Sequence, residues 1–324
     1  MGELPAARVN PSPPFAHTGV DYAGPFNILP FVGRGQKTRK HYVALFVCLA
    51  TRAVHLEMVE DYSADGFLSA FRRFSSRRGL PRHMYSDNGT NFHGADRELQ
   101  RQFQSMMHDP AIRDAIAVDK VDWEFIPSAA PHFGGLWEAG VKSFKGHLRR
   151  AIGARTISRA EFATLLCQIE TCLNSRPIAA LSDDPSDMSA LTPGHFLIGR
   201  PLIAGPEESV LEINADRLSR WQLVSSMREQ FWRAWSRDYL SSLQARTKWR
   251  TAASNLKVGE LVIVKNPLLP PSKWDLARIE RVHPGSDGLV RVVTIRSERS
   301  RLKQSITQLC KLPIDCNLSA PAND

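Results

Sequence analysis

Residues 42–59 read YVALFVCLATRAVHLEMV. The first nine positions, 42–50, form a continuous apolar run, which is typical of a strand buried on both faces of a sheet. Residues 53–59 alternate with period two, which predicts a neighbouring strand. Ser63 is a candidate N-cap for a helix that follows, and Gly79 is a candidate stop for that helix. A pair of strands followed at once by a helix indicates a mixed α/β fold.

The same patterns extend over the rest of the chain. Short strands are predicted at 17–22, 83–86 and 123–126, and helices at 95–118, 136–152 and 159–173. A second helical region contains an aromatic stripe, which the spacing assigns to core or interdomain packing, with an oligomer contact as the alternative. The stripe consists of Phe231, Trp232, Trp235, Tyr239 and Leu243.

Composition excludes several classes of protein. The chain has 324 residues, of which 43% are hydrophobic and 23% charged. These fractions are close to the average of globular proteins and exclude collagen, coiled coils and wholesale disorder. The longest apolar run is far shorter than the roughly 20 residues of a membrane span. The five cysteines form no C-x-x-C pair, and no apolar leader is visible, so we expect an intracellular protein with reduced thiols and no membrane contact.

Positive charge is concentrated near the C-terminus. The net charge is +9, from 42 Lys and Arg against 33 Asp and Glu. A basic domain is the electrostatic footprint of nucleic-acid binding, although many basic proteins bind nothing acidic. Residues 254–313 hold eleven Lys and Arg against five Asp and Glu. Short strands and a hairpin signal at 284–288 predict that this region is a small, basic, antiparallel barrel.

Three carboxylates stand at positions that a fold of this kind can bring together. Asp21 lies at the end of the first strand, Asp87 at the end of a later one, and Glu138 at the start of a helix. Each alone would be interpreted as a surface residue or a helix cap. Carboxylate oxygens are preferred ligands of Mg²⁺ and Mn²⁺. Three of them can hold two ions roughly 3.5–4 Å apart, the arrangement used for in-line phosphoryl transfer.

The helix that begins at Glu138 carries a basic stripe. Lys142 and Lys145 follow four and seven positions later and share the face of Glu138, and Arg149 and Arg150 continue the run. A phosphate backbone that crosses the site would need such cations. The alternative is a solvated basic face with an i,i+4 Glu–Lys pair.

Several blocks of the sequence resemble the integrase of BEL/Pao-type LTR retrotransposons, a branch of the retroviral integrase superfamily. These blocks occur in order along the chain and include HTGVDYAGPF, GLPRHMYSDNGTNFHGA, FIPSAAPHFGGLWEAGVKSFKGHLRR, LNSRPI, LTPGHFLIGRP and WDLARIERVHPGSDGLVRVVTIR. The resemblance implies an α/β ribonuclease-H-like core, a mixed sheet flanked by helices, followed by a helical linker and a small SH3-like β-barrel. The implied organisation is an extended lead-in at 1–16, an integrase catalytic core at 17–205, a helical linker region at 206–253, the basic barrel at 254–313 and a tail at 314–324.

The resemblance also implies roles for individual residues. Asp21, Asp87 and Glu138 occupy the catalytic positions and would bind two Mg²⁺ or Mn²⁺ ions. The gap between Asp87 and Glu138 is 51 residues, longer than in retroviral integrases. The implied DNA contacts are Thr90, Asn91, Lys142, Lys145, Arg149 and Arg150.

The implied function is metal-dependent 3′-end processing and strand transfer of element DNA into target DNA. The expected partners are DNA and further copies of the chain, with no small-molecule cofactor, and the expected location is the nucleus. The zinc domain that usually begins such integrases is not found in this sequence. The alternative is therefore a catalytically inactive or domesticated integrase-derived DNA-binding protein. A ribonuclease-H-type nuclease shares the metal chemistry, but the SDNGTNF block and the basic barrel favour the integrase.

Overall fold

The structure is a computed structural model that describes residues 6–33, 35–87, 110, 122–126, 143–205, 207–244, 255–298 and 300–314. The chain divides into two compact units. The first unit comprises Met1–Leu173 and Ser209–Phe231, and the second comprises Asn174–Glu208 and Trp232–Asp324. Each unit has its own five-stranded sheet.

The sheet of the first unit is mixed. Its strands are β1 (His17–Ile28), β2 (Arg39–Cys48), β3 (Val54–Val59), β4 (His83–Asp87) and β5 (Asp122–Ile126). Their order is β3-β2-β1-β4-β5. The pairs β1–β2 and β2–β3 are antiparallel, whereas β1–β4 and β4–β5 are parallel. The predicted mixed sheet is therefore confirmed.

The hairpin between β2 and β3 begins earlier than the apolar run predicts. β2 ends at Cys48, although the run continues to Ala50. The backbone N–H of Cys48 donates to the Ala53 carbonyl at 2.8 Å, which closes the hairpin. Arg52 has a positive φ of 59°, a conformation that ends a strand.

Four helices belong to the first unit in the described ranges: α1 (Ala6–Val9), α2 (Ala64–Arg78), α3 over 143–152 and α4 (Arg159–Asn174). The predicted caps of α2 are present. The Ser63 hydroxyl accepts from the Gly66 N–H at 3.0 Å, and Gly79 has a φ of 88°. Other predicted helical residues, 95–109, 111–118 and 136–142, lie outside the described residues.

The helices pack on the sheet through their apolar faces. On α2, Phe67, Phe71 and Phe74 are almost fully buried, and the ring of Phe74 stacks on Phe46 of β2 at 4.2 Å between centroids. The predicted face of α4 is buried as well. It consists of Phe162, Leu165, Leu166, Ile169 and Leu173. Burial of apolar faces at this spacing is what stabilises an amphipathic helix in a protein.

The second unit contains an antiparallel sheet. Its strands are β8 (Leu261–Val264), β9 (Asp275–Pro284), β10 (Val290–Arg296), β11 (Arg301–Ser305) and β12 (Leu309–Lys311), in the order β11-β10-β9-β8-β12. The predicted turn at 284–288 joins β9 to β10, with the Gly285 N–H donating to the Leu289 carbonyl at 2.9 Å. The core of this sheet consists of Val262, Ala277, Ile279, Val290, Val293, Ile295 and Leu309.

Residues 174–208 also belong to the second unit. They contain the short hairpin β6 (Ala179–Ala180) and β7 (Ala190–Leu191) and the helix α5 (Pro193–Ile198). The buried guanidinium of Arg278 donates to the carbonyls of Ser182 and Asp187, at 2.9 and 2.8 Å. These bonds attach the segment to β9.

The long helix α6 (Arg220–Gln244) contributes to both units. In the first unit, Phe231 packs edge-on against Phe144 of α3. In the second, Trp232, Trp235 and Tyr239 pack around Trp274. Within the stripe Phe231, Trp232 and Trp235 are buried and Tyr239 and Leu243 are half-buried, which agrees with the packing interpretation of its spacing. No helix in the described ranges is long and apolar enough to cross a membrane.

Candidate functional site

Asp21 and Asp87 occupy neighbouring positions on two parallel strands. The register pairs Gly19 of β1 with Tyr85 of β4, and Val20 with Ser86. Asp21 and Asp87 are the next residues along these two strands. Because neighbouring strands lie about 4.8 Å apart, the two aspartates stand side by side at one level of the sheet. The prediction that both lie at strand ends is correct for Asp87, the last residue of β4, but wrong for Asp21, because β1 continues to Ile28 through its pairing with β2. Their neighbouring positions follow from the register of the two strands.

The Asp21 carboxylate forms an ion pair with the Lys145 ammonium. Its Oδ2 lies 2.8 Å from Nζ of Lys145, and its Oδ1 accepts the Tyr22 N–H at 2.6 Å. The side chain is 31% exposed, so it remains accessible. Its charge also acts on Tyr62, whose pKa is raised first by burial and then by Asp21. The site therefore favours positive charge.

Helix α3 brings two cations to β1. Its buried face includes Phe144, His147 and Leu148, which fixes the helix on the first unit. One turn apart on another face, Lys145 contacts Asp21, and the Arg149 guanidinium donates to the Gly24 carbonyl at 3.4 Å. Lys145 and Arg149 therefore both lie along β1 near the aspartates.

Arg150, the third described cation of the predicted stripe, contacts its own helix. Arg150 donates back to the Gly146 carbonyl at 3.2 Å and bonds to Nδ1 of His147 at 2.9 Å. It is thus held against its own helix rather than on β1. The remaining predicted site residues, Thr90, Asn91, Glu138 and Lys142, lie outside the described residues.

The chemistry of the described part fits a divalent cation. The two aspartates each follow the last register pair of β1 and β4, Val20 with Ser86, and carboxylates are hard oxygen ligands of the kind that Mg²⁺ and Mn²⁺ prefer. The Lys145 ammonium beside Asp21 shows that the site accommodates positive charge. Within the residues that the structure describes, no group of three or more His, Cys, Asp or Glu is placed to hold a metal ion.

The first unit also contains a buried network of ion pairs, which was not predicted from the sequence. Glu170 of α4 accepts the Leu56 N–H at 2.9 Å and pairs with Arg78 of α2 and with His55 of β3. His55 also bonds to Glu57 at 2.9 Å. The network connects β3, α2 and α4. Two features of the sequence could have indicated this network: the arginine cluster at the end of α2 and the two ionisable residues of β3, His55 and Glu57.

Burial and hydrogen bonding compete within this network. Burial alone lowers the pKa of His55, but its hydrogen bonds to Glu170 and Glu57 outweigh burial, and the pKa is raised. Burial would raise the pKa of Glu57, but bonds from His55 and Arg73 lower it. Both shifts favour the charged forms of the two side chains.

The second unit presents a basic row on its sheet. The register places Arg281 opposite Thr294, and Thr294 opposite Lys303, on three adjacent strands. Arg281 and Lys303 are exposed. At the next level along the same strands, Arg296 pairs with Arg301. Composition located this charge in 254–313, and the register arranges part of it on one surface, which we call the basic row (Arg281, Arg296, Arg301 and Lys303).

Comparisons with known proteins give a partial match. A family model described as "Family of unknown function (DUF5641)" matches residues 219–312, which cover α6 and all five strands of the C-terminal sheet. No curated protein matches the chain.

Solved structures with some likeness to the chain include one viral intasome and two forms of a viral integrase core. A simian T-cell lymphotropic virus intasome in complex with PP2A regulatory subunit B56 gamma is 11% identical, with a TM-score of 0.38, covering 96% of this chain and 84% of that one. The HTLV-2 integrase catalytic core domain in complex with magnesium, in its trimeric form, is 14% identical, with a TM-score of 0.35, covering 57% of this chain and 97% of that one. Its dimeric form has a TM-score of 0.31 at 14% identity, covering 50% and 88% of the two chains.

Proposed function

We propose that this chain is a retroelement integrase of the BEL/Pao type, a polynucleotidyl transferase that inserts element DNA into target DNA. The observation that carries the proposal is the juxtaposition of Asp21 and Asp87 on adjacent parallel strands, with Lys145 at the Asp21 carboxylate. Acidic residues at one level of a sheet beside a cationic helix are suited to binding a metal ion and a phosphodiester together.

The proposed reaction consists of two phosphoryl transfers at one site. In 3′-end processing, a water oxygen attacks a phosphorus near the end of the element strand. The P–O bond to the 3′ oxygen breaks, which leaves a 3′-hydroxyl on the element. In strand transfer, that hydroxyl attacks a target phosphodiester, the new P–O bond joins the DNAs, and the target's 3′ oxygen departs. Neither step needs a covalent intermediate with the protein.

The roles of individual residues follow from where they lie. Asp21, Asp87 and Glu138 would hold two Mg²⁺ or Mn²⁺ ions. When bound, such ions activate the attacking oxygen and stabilise the leaving one. Lys145 and Arg149, which line β1, would bind the phosphates of the element's end. We assign DNA contacts also to Thr90, Asn91, Lys142 and Arg150 on the basis of the resemblance.

The C-terminal sheet would supply a second DNA contact. We propose that 254–313 form a small SH3-like barrel after the helical linker 206–253, with the catalytic core in 17–205. Support comes from five antiparallel strands around one apolar core and from the basic row. Phosphate contacts of this kind confer affinity without sequence preference. We further propose that the chain acts as a homo-oligomer and in the nucleus, where target DNA lies.

A disintegration assay tests the proposed activity. The full chain is incubated with Mn²⁺ and a branched DNA that mimics the product of strand transfer. We expect resolution of the branch by the wild type and none by Asp87→Asn, which removes a ligand charge with little change in volume. Lack of product from a folded, DNA-binding wild type would support the inactive, integrase-derived DNA-binding protein instead. Equal activity in Asp87→Asn would show that the site assignment is wrong.

A further inference from the structure

A groove in the second unit has no part in the proposed chemistry. It lies between residues 232–241 of α6 and the segment 264–275 that connects β8 to β9, and its volume is about 530 Å³. Cavities of roughly 300–1,000 Å³ are typical of sites that bind small molecules or the anchoring side chains of a partner. We call it the α6 groove.

Apolar side chains form the walls of the α6 groove. Leu240 lies on the helix side, and Leu268 and Leu269 lie on the opposite side. Leu268 is 87% exposed, which is the highest exposure of any large hydrophobic side chain in the described residues. Leu240 and Leu269 are half-buried, so the three leucines form a partly exposed apolar lining into which a partner's side chain could pack.

Trp274, which lines the groove, is packed against α6. The ring of Trp274 packs edge-on against Trp232 at 4.9 Å and Tyr239 at 5.6 Å, measured between centroids. Its indole N–H donates to the Ser175 hydroxyl at 3.2 Å. With the 6.2 Å contact to Trp235, three side chains of α6 pack against Trp274, and the bond to Ser175 adds a fourth partner outside the helix. A preformed site loses little conformational entropy when it is occupied, which favours affinity.

The rim of the groove is positively charged. Arg233 and Arg237 are exposed and lie one turn apart on α6, and exposed Lys273 lies on the opposite wall. A fourth lining cation, Lys265, bonds to the Gln244 side chain at 2.5 Å. Asp275 is the carboxylate that lines the groove. Three exposed cations around an apolar trough are complementary to an occupant that is both acidic and apolar.

We propose that the α6 groove binds an acidic peptide segment of a partner protein, anchored by bulky apolar side chains. The anchors would contact Leu240, Leu268 and Leu269, while Asp or Glu side chains would pair with the cations of the rim. This proposal goes beyond the integrase function and does not depend on it.

The composition of the walls favours a peptide over nucleic acid. Single-stranded nucleic acid is bound largely by stacking of bases on aromatic faces. In the α6 groove the most exposed apolar side chain is Leu268, whereas Trp232 is buried and the half-buried ring of Trp274 is packed against Trp232 and Tyr239. Aliphatic walls with a cationic rim suit the hydrophobic anchors and acidic flanks of a peptide.

The proposal is tested by selecting binders from a random dodecapeptide library displayed on phage, with the full-length protein as bait. The expected consensus combines Asp or Glu with two or more of Leu, Ile, Phe and Trp. A labelled synthetic peptide of that consensus is then titrated by fluorescence anisotropy. We expect Arg233→Glu/Arg237→Glu to weaken binding roughly tenfold or more, and Leu268→Asp to do the same. These side chains are exposed, so the variants should fold, which circular dichroism verifies.

A matched control reverses charge elsewhere in the same unit. Arg281→Glu/Lys303→Glu alters the basic row and should leave the affinity for the peptide within twofold. A peptide in which Lys replaces the acidic residues should bind Arg233→Glu/Arg237→Glu better than it binds the wild type. This exchange of charge distinguishes direct pairing from a general effect of net charge.

Four results would overturn the proposal. They are an enriched consensus without acidic residues, no enrichment at all, equal binding of the peptide by Leu268→Asp, and displacement of the peptide by a 20-nucleotide single strand at equal affinity. The last would identify the groove as a nucleic-acid site. Light scattering adds a further outcome, because a loss of self-association in Leu268→Asp would identify a second copy of the chain as the occupant.

Discussion

Replacing Glu170 with alanine should destabilise the first unit far more than the removal of a surface ion pair would. Glu170 is 11% exposed in its side chain, and it accepts the Leu56 N–H at 2.9 Å while pairing with Arg78 and His55. The substitution leaves these donors without their carboxylate. Removing one partner of a buried pair costs about 3–5 kcal/mol. With a denaturant slope of about 2–3 kcal/mol/M in urea, the unfolding midpoint should fall by roughly 1–2.5 M.

Glu60→Ala provides the matched control for this measurement. Glu60 pairs with Arg159 in the same unit, but both side chains are more than half exposed, at 55% and 53%. Exposed pairs contribute about 0–1 kcal/mol. Urea unfolding followed by far-ultraviolet circular dichroism compares the two variants, and hydrogen exchange at Leu56 reports the local effect. If Glu170→Ala shifts the midpoint no further than Glu60→Ala, the network does not stabilise the unit as we describe.

Three further predictions concern pH, salt and packing. Because the pKa of His55 is raised in the folded chain, its contribution is complete below its ordinary pKa of about 6.5 and declines as pH rises through the raised value. Urea unfolding should therefore show stability falling above pH 6.5, and His55→Gln should flatten that decline; an unchanged profile would contradict the assignment. Arg281→Glu/Lys303→Glu should weaken binding to duplex DNA, and the slope of log K against log salt should decrease by roughly 0.9 for each phosphate that the variant no longer neutralises; an unaltered slope would exclude the basic row. Gly194→Ala should lower the melting temperature by several degrees, because a Cβ there would lie 2.8 Å from the backbone N of Leu202; calorimetry showing no change would indicate that the backbone adapts freely.

Local signals in the sequence predicted much of the first unit. The apolar run and the alternating segment correspond to β2 and β3, and Ser63 and Gly79 cap the two ends of α2 as predicted. These signals succeed because caps and hydrophobic periodicity act over a few residues. The end of β2 was misplaced, since the hairpin is closed by a bond from Cys48 to Ala53 that periodicity does not encode.

Contacts between distant residues could not be predicted. Glu170 lies more than a hundred positions from His55 and Leu56, and nothing in the local pattern of β3 shows that a carboxylate from α4 reaches it. The candidate site could be predicted only in part. Motifs indicated Asp21 and Asp87, whereas their adjacency depends on the register of β1 with β4, and the pairing of Lys145 with Asp21 depends on how α3 packs.

Binding of Mn²⁺ to the full chain tests most directly whether Asp21 and Asp87 act together as metal ligands. Electron paramagnetic resonance measures free Mn²⁺ during titration of the wild type, Asp21→Asn, Asp87→Asn and the control Asp184→Asn, whose carboxylate lies on the second unit. We expect saturable binding by the wild type and the control, and a loss of affinity of roughly tenfold or more in each of the other two variants. Binding by Asp87→Asn and Asp21→Asn that equals the wild type would contradict a shared metal site at this level of the sheet.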